Sequence, residues 1–280
     1  MVSEQLSQID FIFLKKLAED LTGSTFGDDK KYLFDTRLIG MAKDFGYSSL
    51  VDLVKHLRET EHKLIKAERE YFVDIMTTHE TLFFRDTAPF KILKDTVLPE
   101  LVKGGNKNLY LYSAACSRGQ ESVSMVLAIL ESITYLASPN DIKFDVIATD
   151  ISQPAINYAK KGRYTKLEVS RGLQQKQLDT YFKKDDTAWI LKDQYLNHIH
   201  YQVENLLAPT PRMAKFDIIF CRNVTIYMDK ETVRKIYENF HRNLRDGGYL
   251  FVGHSERLTN HKDLFEYINT GIGSVYRKVS

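Results

Sequence analysis

FDVIATDISQPAINYAKKG, residues 144–162, sets the architecture. Phe144–Ala148 is a short apolar run suited to a buried strand, and Thr149-Asp150 ends it. Ile151–Lys161 has helical spacing, and Gly162 terminates it. The same strand-then-helix unit recurs elsewhere. Leu109–Ser113 (LYLYS) leads to a helix over Glu121–Leu136. Phe216–Cys221 (FDIIFC) leads to a helix over Asp229–Leu244, with Asp229 as its N-cap. His200–Val203 and Gly248–Gly253 read as further strands. Alternating strands and helices predict a Rossmann-like α/β fold, a parallel sheet with helices on both faces. Two closing strands, near Leu264–Ile268 and Ser274–Lys278, are joined by the Gly271–Gly273 turn. They predict an antiparallel hairpin at the sheet edge.

Outside this sheet domain (108–280) the pattern differs. Residues 1–76 carry helical periodicity: Ile9, Phe13, Leu17 and Leu21; Leu50, Leu53, Val54 and Leu57; Leu64, Ala67, Tyr71 and Ile75. They predict a small all-helical domain. Residues 77–107 link the two, with a helix over Thr87–Val102. Residues 163–200 interrupt the alternation and read as an insertion with strands of its own, such as Ala188–Leu191.

Hydrophobic residues make up 43% of the 280 and charged residues 27%, an ordinary globular composition that needs no disulfide or metal for stability. The net charge of +2 gives no argument for nucleic acid. A basic excess lies in 158–200, from Lys160, Lys161, Arg163, Lys166, Arg171, Lys176, Lys183, Lys184 and Lys192. It reads either as a solvated surface or as a docking face for an acidic partner. Cys116 and Cys221 are far apart, without metal-ligand spacing, and read as buried small residues in a reducing compartment. The N-terminus lacks a leader pattern, and no apolar run approaches the ~20 residues of a membrane span. A soluble, cytoplasmic protein is expected.

An open α/β sheet binds ligands beyond the carboxyl ends of its strands. Five unusual segments fall there or beside it. Ser113–Gly119 (SAACSRG) holds small residues that permit close approach, but not the GxGxxG of a dinucleotide site. Asp150 suits either ribose hydroxyls or a helix N-cap. Asn205-Leu206 suits either an adenine edge and face or a plain turn. Cys221–Tyr227 (CRNVTIY) gathers Arg, Asn and Tyr at the end of the central strand, more polarity than a turn needs. Thr78–Arg85 (THETLFFR) holds Arg85, which can grip a carboxylate or pair with Asp86 or Glu80.

HETLFFRD, SAACSRGQES, ATDIS, FCRNVTIYMD and GGYLFVGHSE together resemble, in order and spacing, the signature segments of the CheR chemoreceptor methyltransferases. The resemblance spans nearly the whole chain. It is strong from about Tyr71 to Lys278 and looser in the N-terminal helices. It implies a class I methyltransferase sheet with an antiparallel terminal hairpin, a small β insertion and an all-α N-terminal domain. It also implies binding of S-adenosyl-L-methionine, with S-adenosyl-L-homocysteine as product. The cofactor contacts it implies fall on His79, Thr81, Arg85, Glu121, Asp150, Asn205, Leu206, Asn223 and Val224. His79 stands where many members have Asn. Gln120-Glu121-Ser122-Val123 replaces the usual Glu-Glu-Pro-Tyr, and Arg118 replaces a common Thr.

The implied reaction is methylation of glutamate side chains on the cytoplasmic region of chemoreceptors, without nucleic acid and without membrane insertion. A glutamate carboxylate, with a pKa near ~4.3, is already a nucleophile at neutral pH, so no general base is needed. Asn223, Tyr227 and Arg85 are the expected residues at the methyl site, with Tyr227 as a wall beside the reacting carboxylate. Rival readings are a methyltransferase for nucleic acid or small molecules and a non-catalytic cofactor-binding scaffold. Family members that tether to a receptor's C-terminal pentapeptide carry a longer, glycine-bearing loop in the β insertion. Here no glycine occurs between Gly172 and Gly247, and Asp185-Asp186 is the expected short turn, so no pentapeptide tether is expected.

Overall fold

The computed structural model describes residues 5–60, 64–136, 141–212 and 214–279. Four helices come first: α1 (Gln8–Thr22), α2 (Lys31–Asp44), α3 (Leu50–Thr60) and α4 (Lys66–Met76). The Ser7 side chain accepts from the Asp10 N–H to start α1. Gly23, at φ 75°, ends it by donating to the Glu19 carbonyl. These helices close around their own core of Phe11, Leu14, Phe34, Leu38, Leu53, Leu57 and Phe72.

The buried stripe of α3 is the expected Leu50, Leu53, Val54 and Leu57. The other two stripes differ. In α1 the buried residues are Phe11, Leu14, Leu17, Ala18 and Thr22, while Ile9 is 71% exposed. In α4 they are Glu68, Phe72, Val73 and Met76, and Ala67 is exposed. In α1 the expected strict four-residue spacing drifts about 40° per step around a helix of 3.6 residues per turn, so it cannot stay on one face.

The linker forms a continuous helical stretch, α5 (Ala88–Ile92), a π turn (Leu93–Val97) and α6 (Leu98–Lys103). The sheet domain follows as β1 (Asn108–Ala114), α7 (Gln120–Ile133), β2 (Lys143–Asp150) and α8 (Gln153–Ala159). Next come β3 (Arg163–Thr165), α9 (Lys166–Ser170), α10 (Gln175–Tyr181), β4 (Phe182–Lys184), β5 (Ala188–Leu191) and α11 (Asp193–Leu196). The chain closes with β6 (Ile199–Val203), β7 (Phe216–Cys221), α12 (Lys230–Asn243), β8 (Leu244–Val252), β9 (Phe265–Asn269) and β10 (Ser274–Lys278).

Seven strands form one sheet in the order β6-β2-β1-β7-β8-β10-β9; β3, β5 and β4 form a separate three-stranded sheet. Pairing is parallel from β6 to β8, and β10 and β9 are antiparallel. Every residue of β7 is buried, as a strand covered on both faces requires. On one face α7 packs between the sheet and the π turn, which buries it almost all round. On the other, α12 contributes only Ile236, Tyr237 and Phe240.

The strand order runs outward from β1 through β2 to β6, then returns to β7 on the other side of β1. That reversal is where such sheets open a crevice. Ala114 pairs with both Thr149 and Cys221, so the ends of β1, β2 and β7 lie level.

Candidate active site

A cavity of about 290 Å³ opens at this reversal. Its floor comes from the ends of β1, β2, β6 and β7. One wall comes from residues 76–85. The roof comes from the segment between α1 and α2, including Ser24, Phe26 and Lys30, and from Leu33 in the first turn of α2. The roof is fastened to the sheet domain. The Thr25 N–H and hydroxyl both donate to the Tyr227 carbonyl, at 2.7 and 3.0 Å, and Ser24 bridges Met228.

His79, Thr81, Arg85, Glu121, Asp150, Asn205, Leu206, Asn223, Val224 and Tyr227 all line this one cavity. What each side chain does there differs from residue to residue.

Asp150 sits at the C-terminal end of β2 and is buried. Its Oδ2 accepts from the Ser117 N–H at 2.8 Å and its Oδ1 from the Ser152 N–H at 2.9 Å. It is not the N-cap of α8; Ser152 is, accepting from Ala155. Burial pushes the Asp150 carboxyl up, against the two N–H groups that stabilise its charge. Each oxygen keeps a further lone pair for a ligand hydroxyl.

His79 closes a ring with Asp150. The Ser117 hydroxyl donates to the His79 carbonyl at 3.1 Å. The His79 Nε2 lies 3.1 Å from an Asp74 carboxylate oxygen, and Ser152 donates its hydroxyl to that same oxygen. Asp150, Ser117, His79, Asp74 and Ser152 thus form one closed circuit that ties α4 to the cavity floor. Burial opposes a charge on His79, but the Asp74 carboxylate outweighs it and raises the pKa above 6.5. Burial likewise opposes the charge of Asp74, but the His79 and Ser152 hydrogen bonds lower its pKa below 3.8.

This pair sets a pH window. The His79 contribution to stability is complete below 6.5 and fades as pH rises through the higher folded value. The Asp74 contribution is complete above 3.8 and is lost as pH falls through the lower folded value. The melting-temperature gap between wild type and Asp74→Asn should therefore be widest between pH 3.8 and 6.5 and shrink above it. A constant gap from about pH 5 to about pH 9 would refute the pairing.

Arg222 belongs to the polar end of β7, where the local sequence assigns it no role. Its side chain is 1% exposed, and its Nη1 donates to Glu121 Oε2 at 3.2 Å. Its Nη2 donates to the Arg85 carbonyl at 2.7 Å and to Asp86 at 2.8 Å. The guanidinium lies over the Phe90 ring. Glu121 also accepts from the Ser113 hydroxyl at 2.8 Å. Burial raises the Glu121 pKa against the pull of Arg222. Since Arg222 takes Asp86, Arg85 pairs with neither Asp86 nor the Glu80 carboxylate. Among the described residues it donates only to the Glu80 carbonyl, at 3.2 Å, and leaves a cation on the cavity wall.

Glu256 fixes the segment after β7. Its buried carboxylate accepts from the N–H groups of Asn223, Val224, Thr225 and Gly253 and from the Thr225 hydroxyl, all between 2.6 and 2.9 Å. This holds Asn223 at φ 59°, and Asn223 Oδ1 is buried without a hydrogen-bond partner among the described residues. At Gly253 a Cβ would stand 2.8 Å from the Asn223 nitrogen, so the packing admits only glycine. Among the described residues, six non-glycine residues have positive φ: Phe84, Asp86, Thr87, Ala115, Ser117 and Asn223. All lie in the three loops around the cavity, where backbone strain tends to collect.

Asn205 has both ends of its amide engaged. Its Oδ1 accepts from the Leu207 N–H and its Nδ2 donates to the Leu21 carbonyl, each at 2.9 Å. It therefore makes a turn and also ties α1 to β6, with one amide hydrogen and one lone pair to spare. Glu204 beside it is buried in a pair with Arg212 at 2.7 Å and accepts from the Tyr112 hydroxyl. Tyr227 is 47% exposed at the cavity mouth. Cys116 and Cys221 are both buried and unpaired.

Residues 79–273 match the family described as "CheR methyltransferase, SAM binding domain". The chain is 38% identical over 270 residues to chemotaxis protein methyltransferase 1 of Pseudomonas aeruginosa, covering 96% of this chain and 97% of that one. It is 35% identical over 271 residues to chemotaxis protein methyltransferase Cher2 of Pseudomonas putida, covering 96% and 98%. It is 35% identical over 279 residues to the chemotaxis protein methyltransferase of Vibrio parahaemolyticus, covering 99% of each.

Proposed function

Because this chain belongs to the CheR methyltransferase family and is an S-adenosylmethionine-dependent chemotaxis protein methyltransferase, we propose that it methylates glutamate side chains on the cytoplasmic region of chemoreceptors. The single observation that supports the reading best is one cavity, at the strand-order reversal, lined by buried acids and by Arg85, whose guanidinium has no carboxylate partner among the described residues.

These groups suit the cofactor's parts. Asp150 is the partner for ribose hydroxyls. Glu121 is the anion for the amino group, and Arg85 the cation for the carboxylate. Phe26, Leu33, Met76 and Leu206 offer apolar surface to the adenine, and Asn205 keeps one donor and one acceptor for its edge. Thr81 and the backbone of Val224 complete the set. The His79 imidazole serves through the circuit that fixes Asp150. Bound S-adenosylmethionine supplies an activated methyl group on a sulfonium centre.

The protein's own work is alignment and exclusion of water. Asn223, held rigid by Glu256, lines the cavity beside the methyl site. Tyr227 walls the mouth where a glutamate carboxylate enters, already anionic at neutral pH. Arg85 offsets negative charge there.

Asp150→Ala should weaken binding of S-adenosylhomocysteine by about 1.5–3 kcal/mol, the worth of hydrogen bonds to a charged group. Calorimetry giving wild-type affinity would remove Asp150 from the site. For the reaction, labelled methyl transfer to receptor cytoplasmic fragments should give a base-labile product that disappears when the accepting Glu becomes Asp. Base-stable label would sink the glutamate reading.

The turn between β4 and β5 is short, with Asp185 accepting from the Thr187 and Ala188 N–H groups. We read it as unable to hold a pentapeptide. Receptor fragments with and without their C-terminal tail should then be methylated equally.

A further inference from the structure

A second groove, of about 660 Å³, lies beside the cavity, and nothing above assigns it a ligand. It opens beyond the end of β8, against α5 and the β9–β10 hairpin. In the sheet order β8 follows β7, so the groove continues the row of strand ends that floors the cavity. The wall between them is thin. Arg85 lines the cavity and Asp86 the groove; Asn223 lines the cavity, and Gly253, packed against it, lines the groove.

The groove's charge is one-sided. Arg257, Lys262 and His254 line it and are exposed. The nearby acids are spent elsewhere. Asp86 pairs with Arg222, Glu256 turns inward to hold the backbone of 223–225, and Asp263 pairs with Arg234 at 2.6 Å. Strand β9 alternates faces, so Phe265, Tyr267 and Asn269 meet the groove while Glu266 does not. Among the described residues no carboxylate lies within ion-pair distance of Arg257 or Lys262. Tyr267 and Ile272, 58% and 53% exposed, add apolar surface to the rim.

We propose that this groove is an exosite for an acidic, partly apolar segment of the protein substrate that flanks the glutamate being methylated. The inference rests on the glutamate reading above, and it names what that reading leaves open: how a peptide bearing the reacting carboxylate is held. Paired cations beside a thin wall draw acidic side chains to the groove while one carboxylate passes Tyr227. Electrostatic contacts of this kind act on encounter and on substrate affinity, not on the methyl transfer step.

The test is steady-state methylation of a receptor fragment by the double variant Arg257→Glu/Lys262→Glu. The KM for the fragment should rise roughly tenfold at low salt, with kcat and S-adenosylhomocysteine affinity unchanged, and the gap should narrow as salt is raised. Lys103→Glu/Lys143→Glu, the same charge change at the opposite end of the sheet, where α6 ends and β2 begins, is the control and should shift KM far less. An unchanged KM in the groove variant, or an equal rise in the control, overturns the exosite. If wild type transfers no methyl to any fragment, the glutamate reading falls instead. The groove is then judged by fluorescence anisotropy of the labelled acidic fragment. Tighter binding to wild type than to the groove variant supports it, and equal binding overturns it. Retention of wild type, but not the groove variant, on phosphatidylglycerol vesicles, with no binding of the fragment, would reassign the groove to a membrane surface.

Discussion

Arg222→Met should cost about 3–5 kcal/mol of folding stability, the range for removing one partner of a buried ion pair. The Arg222 side chain is 1% exposed and Glu121 12%, so water cannot replace the lost cation. Glu121 would keep only the Ser113 hydroxyl, and Asp86 and the Arg85 carbonyl would each lose a donor. The loop at 84–87, with three residues at positive φ, would be left without its anchor to the sheet. Urea unfolding of the apo protein measures the loss. Adding Glu121→Gln should recover much of it, because a neutral pair of similar size needs no counter-charge. Activity should not return, since the strained loop carrying Arg85 stays unpinned. Wild-type stability in the single variant would mean that the pair contributes nothing.

The fold was legible where one signal dominated. Phe216–Cys221 and Ser274–Lys278 come out as strands with the expected bounds, and Asp229 caps α12 by accepting from the Glu231 and Thr232 N–H groups. A continuous apolar run or a lone acid before a helix has few other uses. The start of β8 was not legible. The expected strand starts at Gly248, after a helix to Leu244, yet α12 ends at Asn243 and the strand begins at Leu244. Phe216 pairs with Leu244 and Ile218 with Tyr249, so the intervening residues, Gly247 and Gly248 among them, bulge out of the ladder.

The site divides in the same way. Strand ends can be placed from periodicity, and the loops after β1, β2, β6 and β7 do meet in one cavity. What holds those loops is not written locally. Arg222 meets Asp86 across 136 residues, and Glu256 meets Asn223 across 33. A buried Glu in GHSE looks no different in sequence from a solvated one. Asn205 shows the opposite problem. Its partner, the Leu21 carbonyl, lies in the helical domain, 184 residues away, and a local reading can see only the turn.

Glu256→Gln tests the largest of these hidden supports. The carboxylate is 6% exposed and accepts five hydrogen bonds, three at Oε1 and two at Oε2. An amide keeps one acceptor oxygen and presents N–H donors in place of the other. Whichever way it turns, at least two protein donors then face donors. At about 1.5–3 kcal/mol for each bond to a charged group, the variant should lose about 3 kcal/mol or more. The functional loss should follow from the backbone. Asn223 at φ 59° is held there by its N–H bond to Oε2, and a freed Asn would return to negative φ and swing its amide. Glu256→Asp keeps the charge but is one methylene shorter, so it cannot span both Asn223 and Thr225. It should retain more stability than Gln while still binding S-adenosylhomocysteine weakly. Thermal melts and calorimetry on the folded fraction separate the two effects. If both variants melt early yet bind the product and turn over like wild type, Glu256 supports the fold alone, and the pose of Asn223 does not depend on it.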